Sequence, residues 1–278
     1  MEKLLKIPYA VFNDWNLLQQ FLERRGNPRY ELVGDVDLRY RKDISELGNL
    51  VRIYGDLLLT NTSIQSLGNL EYVGGDLNLS FSSVQSLGNL QYVGKGFDLR
   101  WSQIKSLGNL VRVGGDLDLK HTLIESLGNL EYVGGHLFLT ASSIQSLGNL
   151  EYVGGDLNLY KTPIQSLGNL VRVNGDLSLY STSIQSLGNL EYIGGYLDLN
   201  KTKIQSLGNL VRIDGDLYLD NTSIQSLGNL EYVGGDLYLN NTSIQSLGNL
   251  EYVGGTIFLS DDHQIPEEQL TKIKINYS

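Results

Sequence analysis

Residues 73–90 read Val-Gly-Gly-Asp-Leu-Asn-Leu-Ser-Phe-Ser-Ser-Val-Gln-Ser-Leu-Gly-Asn-Leu, and close copies of this unit recur along most of the chain. The tetrapeptide Leu-Gly-Asn-Leu begins at Leu47 and again every 20 residues as far as Leu247, which makes eleven copies in one register. Repetition at a short fixed period is typical of a solenoid, in which stacked units bury a continuous apolar core. With a degenerate earlier turn, the repeats predict about twelve turns between residues 31 and 262.

The apolar spacing within a unit predicts its local structure. Leu77 and Leu79 are two residues apart and therefore point to the same face of a short strand. The next apolar residues are three apart, at Val84, Leu87, Leu90 and Val93. Three-residue spacing favours an extended polyproline-like or 3₁₀ path over an α-helix. We therefore expect a mostly β fold with one parallel sheet of short strands and a non-helical return side.

The strand and the residues after it resemble a known repeat family. Residues 57–64, Leu-Leu-Leu-Thr-Asn-Thr-Ser-Ile, are similar to the leucine-rich-repeat signature, with Thr or Ser at the position of its usual Asn. The approach from Val113 to Leu117 is one residue longer than in that signature, and this variant resembles the repeats of receptor L domains. The resemblance covers most of the chain and implies a right-handed leucine-rich-repeat-like β-solenoid. It implies little about function, because such folds serve many binding roles.

The two ends differ from the repeats and are expected to be caps. Asn13 and Asp14 can begin a helix that runs to about Arg25, and Pro266 can begin a second one. Caps protect the terminal strand edges and the apolar cross-section of a solenoid from aggregation. We expect an N-terminal helical cap at residues 1–30, the repeat solenoid at 31–262 and a C-terminal cap at 263–278.

Composition restricts the classes of partner and the compartment. The chain has 21 Lys and Arg against 31 Asp and Glu, a formal charge of −10, which disfavours binding to nucleic acid. It has no Cys, no apolar run long enough to cross a membrane and no apolar stretch at its start typical of a signal peptide. We therefore expect a cytoplasmic protein without a membrane span.

Stacking in register turns each repeat position into a column of neighbours about 4.8 Å apart. The Thr and Ser residues equivalent to Thr62 lie between inward apolar positions, so we expect their hydroxyls, and the side chains of an asparagine ladder at Asn69, to bond backbone groups of adjacent turns. An ice-binding function would need an outward Thr array, which this column does not predict. A third column, running from Arg52 through Tyr72 to Tyr252, predicts stacked Tyr and Arg side chains that form either an outer ladder or a binding face.

A broken column of carboxylates follows the Gly-rich turns, at Asp56, Asp76, Asp116, Asp156, Asp176, Asp216 and Asp236. Stacked carboxylates repel each other unless they accept backbone N–H groups, stay hydrated or share a cation. Calcium binding is a minor alternative, by analogy with Gly- and Asp-rich β-rolls, but the nonapeptide of those proteins is absent.

Catalysis is disfavoured by the positions of the reactive residues. His121, His136 and His263 fall in different columns or turns, and none has a Ser, a Cys or paired carboxylates at a spacing suited to a nucleophile or a general base. The Gly-rich turns precede strands, whereas phosphate-binding loops precede helices. We therefore expect no enzyme activity, no catalytic residue, no metal and no cofactor.

The outward positions of the strand and the following turn vary between repeats, and their chemistry suggests a binding site. Neutral drift on a solvated face explains variety, but it explains less well the concentration of aromatic and basic residues that commonly anchor protein interfaces. The expected binding surface for an unknown protein partner consists of Phe81, Arg100, Trp101, Lys120, His121, Phe138, Tyr160, Lys161 and Tyr180. A second candidate patch consists of Tyr218, Asp220, Tyr238 and Phe258.

These features favour a protein-interaction module that is monomeric or weakly self-associating. The alternative is a structural or self-associating rod, for example an element of an appendage or a larger assembly.

Overall fold

The computed structural model describes residues 4–261 and 263–275. The chain is mostly β and forms a parallel β-solenoid of about twelve turns, called coils below, with repeats of about 20 residues. This fold class confirms the prediction from the repeat pattern. The residues fall into two compact units, a first unit of Met1–Gly135 and a second unit of His136–Ser278.

Two kinds of parallel strand alternate along the first unit, and each strand pairs with its equivalent one coil away. Sheet A here contains β1 (Leu5–Pro8), β2 (Tyr30–Val33), β4 (Leu50–Ile53), β6 (Tyr72–Val73), β8 (Tyr92–Val93), β10 (Arg112–Val113) and β12 (Tyr132–Val133). Sheet B contains β3 (Val36–Asp37), β5 (Leu57–Leu58), β7 (Leu77–Asn78), β9 (Phe97–Asp98) and β11 (Leu117–Asp118).

The second unit repeats this arrangement. Its sheet A strands are β14 (Tyr152–Val153), β16 (Arg172–Val173), β18 (Tyr192–Ile193), β20 (Arg212–Ile213), β22 (Tyr232–Val233), β24 (Tyr252–Val253) and β26 (Lys274–Ile275). Its sheet B strands are β13 (Leu137–Phe138), β15 (Leu157–Asn158), β17 (Leu177–Ser178), β19 (Leu197–Asp198), β21 (Leu217–Tyr218), β23 (Leu237–Leu239) and β25 (Ile257–Leu259).

Sheet A is a feature that the sequence analysis did not expect. The one sheet predicted there corresponds to sheet B, whereas the Tyr-Val and Arg-Val pairs of sheet A were assigned to the return side. These pairs are only two residues long and would not form a strand alone. They do so here because stacking in register gives every extended segment an identical neighbour, as between Tyr72 and Tyr92 in β6 and β8.

The apolar residues of each coil form the core. Leu77 and Leu79 are fully buried while Asn78 between them is half-buried, which confirms the predicted alternation along the strand. The residues spaced three apart on the return side are also buried, namely Val84, Leu87, Leu90 and Val93. That side contains no helix between residues 82 and 91, as predicted.

The Thr column points inward but bonds differently from the prediction. The hydroxyl of Thr62 donates to the carbonyl of Leu59 at 2.8 Å, and that of Thr182 donates to Leu179 at 2.8 Å. Both bonds close a turn within one coil, whereas the sequence analysis expected bonds to adjacent coils. The reason is that the chain turns sharply after the strand and brings the carbonyl three residues earlier within reach.

The N-terminal segment contains a strand and a short helix. Strand β1 pairs with β2, a 3₁₀ helix spans Tyr9–Val11, and helix α1 spans Trp15–Glu23. The Asp14 carboxylate accepts the Leu17 amide at 2.9 Å, so Asp14 is the predicted N-cap. The helix ends two residues before Arg25.

At the other end, α2 spans Glu267–Leu270, with Pro266 as its N-cap residue. The side-chain oxygen of Gln269 accepts the Leu247 amide at 2.8 Å, and β26 pairs with β24. These contacts fix the C-terminal segment on the last coil. Residues 1–3, 262 and 276–278, which the sequence analysis assigned to the two caps and the solenoid, lie outside the described residues.

Candidate interaction surface

Some outward residues of the sheet B strands have a structural role. Asp98 accepts the backbone amide of Arg100 at 3.0 Å, and Asn78 accepts that of Ser80 at 3.0 Å. Such bonds from an Asx side chain to the amide two residues later stabilise a turn at the end of a strand. The frequent Asp and Asn in this variable column therefore have a local structural explanation.

The residue after that turn has a left-handed backbone in ten successive repeats. Its φ lies between 54° and 60° at Asn61, Phe81, Trp101, His121, Ala141, Lys161, Ser181, Lys201, Asn221 and Asn241. Among residues other than Gly, Asn, Asp and His adopt this conformation most readily, whereas most other L-residues are strained by about 1–2 kcal/mol. Aromatic and basic side chains at this position are therefore unfavourable for the local backbone.

In the first unit this position holds a row of three stacked rings, called here the aromatic row: Phe81, Trp101 and His121. The rings of Phe81 and Trp101 are 6.4 Å apart and 10° from parallel, and those of Trp101 and His121 are 3.9 Å apart and 13° from parallel. Phe81 is 55% exposed and Trp101 is 54% exposed. The structure thus brings together three of the predicted partner-binding residues as an exposed apolar ridge.

The two predicted cations beside the aromatic row have carboxylate partners that the sequence analysis left out of the site. Arg100 lies 2.7 Å from Asp98 and 3.5 Å from Asp118, and Lys120 lies 3.4 Å from Asp118. The hydrogen bonds that the Arg100 guanidinium donates to the Asp98 carboxylate raise the pKa of Arg100 above its ordinary value. The aromatic row is therefore bordered by paired charges rather than by a basic patch.

The other four predicted residues lie in the second unit. Phe138 stacks on His136 at 5.7 Å, and Tyr160 stacks on Tyr180 at 5.5 Å. The Lys161 ammonium lies 4.8 Å from the centre of the Tyr160 ring. Lys201, which the sequence analysis did not include, places its ammonium 5.3 Å from the Tyr180 ring. A hydrogen bond to the neighbouring tyrosine raises the pKa of Lys161 and of Lys201.

The second candidate patch is a continuous stack at the end of sheet B in the second unit. The rings of Tyr218 and Tyr238 are 4.7 Å apart, and those of Tyr238 and Phe258 are 4.6 Å apart. Tyr196, which sequence reasoning missed, meets Tyr218 edge-on at 6.1 Å. Burial, followed by a hydrogen bond to the Asp216 carboxylate, raises the pKa of Tyr218. The remaining member, Asp220, accepts the Asn240 amide at 2.8 Å.

The histidines have separate surroundings. His121 belongs to the aromatic row, whereas Nδ1 of His136 accepts the Asp156 amide at 2.9 Å. The buried Nδ1 of His263 has no hydrogen-bond partner among the described residues.

Searches for a metal site, a membrane-spanning helix and related proteins gave the following findings. Over residues 4–261 and 263–275, no three His, Asp or Glu side chains come together in a way that could hold a metal ion. Within the same part of the chain, neither helix has the length and apolar character needed to cross a bilayer. No protein-family model matches the sequence, and no curated protein is significantly similar to it.

Proposed function

We propose that this chain is a leucine-rich-repeat-type interaction module that binds a partner protein through the variable outward face of sheet B and the turn that follows it. In the first unit the centre of that face is the aromatic row of Phe81, Trp101 and His121. The single observation that carries the proposal is that these rings are exposed and stacked on backbone positions with left-handed φ.

The left-handed backbone at Phe81 and Trp101 indicates that these aromatic residues are kept for binding and did not arise by neutral drift. Asn61, Asn221 and Asn241 show which residue suits this position, whereas Phe81 and Trp101 are each strained there by about 1–2 kcal/mol. Ring stacking returns about 0.5–1.5 kcal/mol per pair, so the two ring contacts of the row do not fully offset the strain of these two residues. Residues that are unfavourable for the local fold concentrate at functional sites.

The chemistry of the surface suits a protein partner. Trp and Phe are common anchors of protein interfaces, and they bind best when polar groups around them exclude water from the contact. Arg100 and Lys120, paired with Asp98 and Asp118, provide such a border around Trp101. The expected partner therefore presents an apolar pocket or groove with polar groups at its rim.

The leucine-rich-repeat relationship rests on the signature residues together with the Asn side chains. Asn69 donates to Asn49 at 3.1 Å, and Asn229 donates to the carbonyl of Gly208 at 3.2 Å. These bonds link successive coils, as an asparagine ladder does. They support the proposed assignment to this type of solenoid.

The test compares the proteins captured by the wild-type chain and by variants, with quantification by mass spectrometry. Trp101→Asn removes the central ring and relieves strain, so it should reduce capture of the specific partner more than about 10-fold while leaving the chain folded. Ala141→Asn is the matched control, because it makes the same replacement at the same repeat position without removing a ring. A partner that remains bound to the Phe81→Asn, Trp101→Asn double variant would contradict the proposal.

A further inference from the structure

The last strand of sheet B, β25, has an open edge among the described residues. Leu237 and Leu239 in β23 are 0% and 1% exposed, whereas their equivalents Ile257 and Leu259 in β25 are half-buried. The ring of Phe258 is 38% exposed. The apolar side chains of this strand thus lack the covering that every earlier coil of the second unit receives from the next one.

The backbone of β25 is also unpaired on that edge. Within sheet B, the amide of one coil donates to a carbonyl of the following coil, as Leu217 does to Asp236 at 2.8 Å and Leu237 does to Thr256 at 2.9 Å. No described residue accepts the amides of Ile257 and Leu259. Within the described part of the chain, two strand donors and the carbonyls beside them are therefore open to pairing with a further strand.

Other terminal strands carry residues that discourage pairing with another chain. Strand β26 has Lys274, β1 has Lys6 and Pro8, and β3 has Asp37. Charges and proline on an edge are the usual protection against edge-to-edge association. Residues 256–260, Thr-Ile-Phe-Leu-Ser, carry neither, and Thr256 occupies the position at which Asp216 and Asp236 stand in the two preceding coils.

We propose that β25 is the dimerisation edge of this protein and that its partner is β25 of a second copy, paired antiparallel about a two-fold axis at Phe258. Ile257 of one copy then faces Leu259 of the other, and each such pair exchanges two hydrogen bonds. Phe258 forms the central non-hydrogen-bonded pair with its own equivalent. No charged side chain within residues 256–260 opposes another across the axis.

A second copy of the chain is the favoured partner, because the exposed edge of β25 is complementary to itself. Tyr218, Tyr238 and Phe258 already stack at spacings of 4.7 and 4.6 Å, which is close to the distance between paired strands, so a second Phe258 continues the same stack. Attachment of the N-terminal end of another copy is disfavoured, because Val36 in β3 is 0% exposed and Leu38 is 2% exposed. The contact is therefore isologous and closes at a dimer instead of extending into a filament.

A cross-linking experiment tests the geometry directly. The chain has no Cys, so Phe258→Cys introduces a single thiol at the proposed two-fold axis, where a non-hydrogen-bonded pair brings the two Cα atoms to about 4.5 Å, within disulfide range. Mild oxidation should convert most of this variant into a covalent dimer. Tyr218→Cys, two coils away from the edge, is the control and should form no covalent dimer. Equal cross-linking of both variants would overturn the proposal.

Sedimentation equilibrium over a concentration series tests the association of the unmodified chain. The wild type should reach the mass of a dimer, and added salt should strengthen the dimer because each copy has a charge of −10. Phe258→Lys should weaken dimerisation at least about 10-fold, since it places two ammonium groups at the axis. Tyr160→Lys, on a different coil, should leave the dimer unchanged. A wild type that stays monomeric at all concentrations, or whose mass grows beyond a dimer, contradicts the proposal.

Discussion

The carboxylate of Asp56 accepts the backbone amide of Asp76, its equivalent one coil later, at 2.8 Å. Asp156 and Asp176 repeat this bond at 2.9 Å, and so do other pairs in the column. Stacked carboxylates that would otherwise repel each other are thus each tied to an N–H group of the next coil. The bond also explains the Gly before each Asp, because a Cβ at Gly75 would overlap the Asp56 carboxylate and the backbone beside it.

The first prediction concerns this aspartate ladder. Asp156→Ala leaves the Asp176 amide without its acceptor and should lower the free energy of unfolding by about 1–3 kcal/mol in a urea titration. Asp156→Asn keeps an acceptor oxygen and should cost clearly less. The column already contains an acceptor that is not a carboxylate, since Nδ1 of His136 accepts the Asp156 amide. Equal losses for the two variants would show that charge, not hydrogen bonding, stabilises the column.

The sequence was sufficient to predict the solenoid, its repeat register and sheet B, because its strongest signal is periodic. The constant spacing from Leu47 to Leu247 fixes which residues become neighbours, and the alternation at Leu77 and Leu79 fixes which face is buried. Sheet A was missed because a pair such as Tyr72 and Val73 is too short to predict a strand without the neighbouring coil.

The backbone at the candidate site was not predicted, although a signal for it was present. Asn recurs at positions 61, 221 and 241, and Asn is the residue most often found at left-handed positions after Gly. Reading that column as left-handed would have marked Trp101 as strained from the sequence alone. The ion pairs of Arg100 could not be predicted from the sequence, because they depend on side-chain geometry. The Asp98 carboxylate accepts both the backbone amide and the guanidinium of Arg100, and the sequence pattern does not distinguish these two roles.

The second prediction tests the cost of the left-handed position. Ala141 has φ of 57° and makes no ring contact, so Ala141→Gly should raise the free energy of unfolding by about 0.5–1 kcal/mol, after allowance for the greater entropy of Gly in the unfolded chain. Ala10→Gly, in the 3₁₀ helix Tyr9–Val11, should instead destabilise the chain. If both substitutions are destabilising, the strain argument for the aromatic row loses its basis.

A third prediction separates bonds within a coil from bonds between coils. Thr182 and Thr202 are equivalent residues of successive coils, and each hydroxyl donates to a carbonyl three residues earlier. Thr182→Val and Thr202→Val preserve shape and should each cost about 1 kcal/mol. The double variant should lose the sum of the two, within about 0.5 kcal/mol, because the hydroxyls do not share a bond. A larger coupling in the double-mutant cycle would indicate bonding between coils.

The fourth prediction is a dependence of stability on pH at Asp198. Burial raises the pKa of this carboxyl, and the charge of Asp220 raises it further, although the amide of Asn200 donates to it and opposes the shift. A carboxyl with a raised pKa in the folded state favours folding while it is protonated, and this contribution is lost as the pH rises through that pKa. At neutral pH the ionised Asp198 therefore opposes folding.

Asp198→Asn should consequently raise the melting temperature at pH 7, and the gain should shrink as the pH falls towards the ordinary carboxyl range near about 4. Asn fits this position, because Asn158, the equivalent residue two coils earlier, accepts the Tyr160 amide at 3.0 Å in the same way. Asp118→Asn serves as the control and should lower the melting temperature at pH 7, since Asp118 lies 3.4 Å from the Lys120 ammonium. A lower melting temperature for Asp198→Asn at pH 7 would mean that its charge is stabilised by neighbours, and the burial argument for this carboxyl would then be wrong.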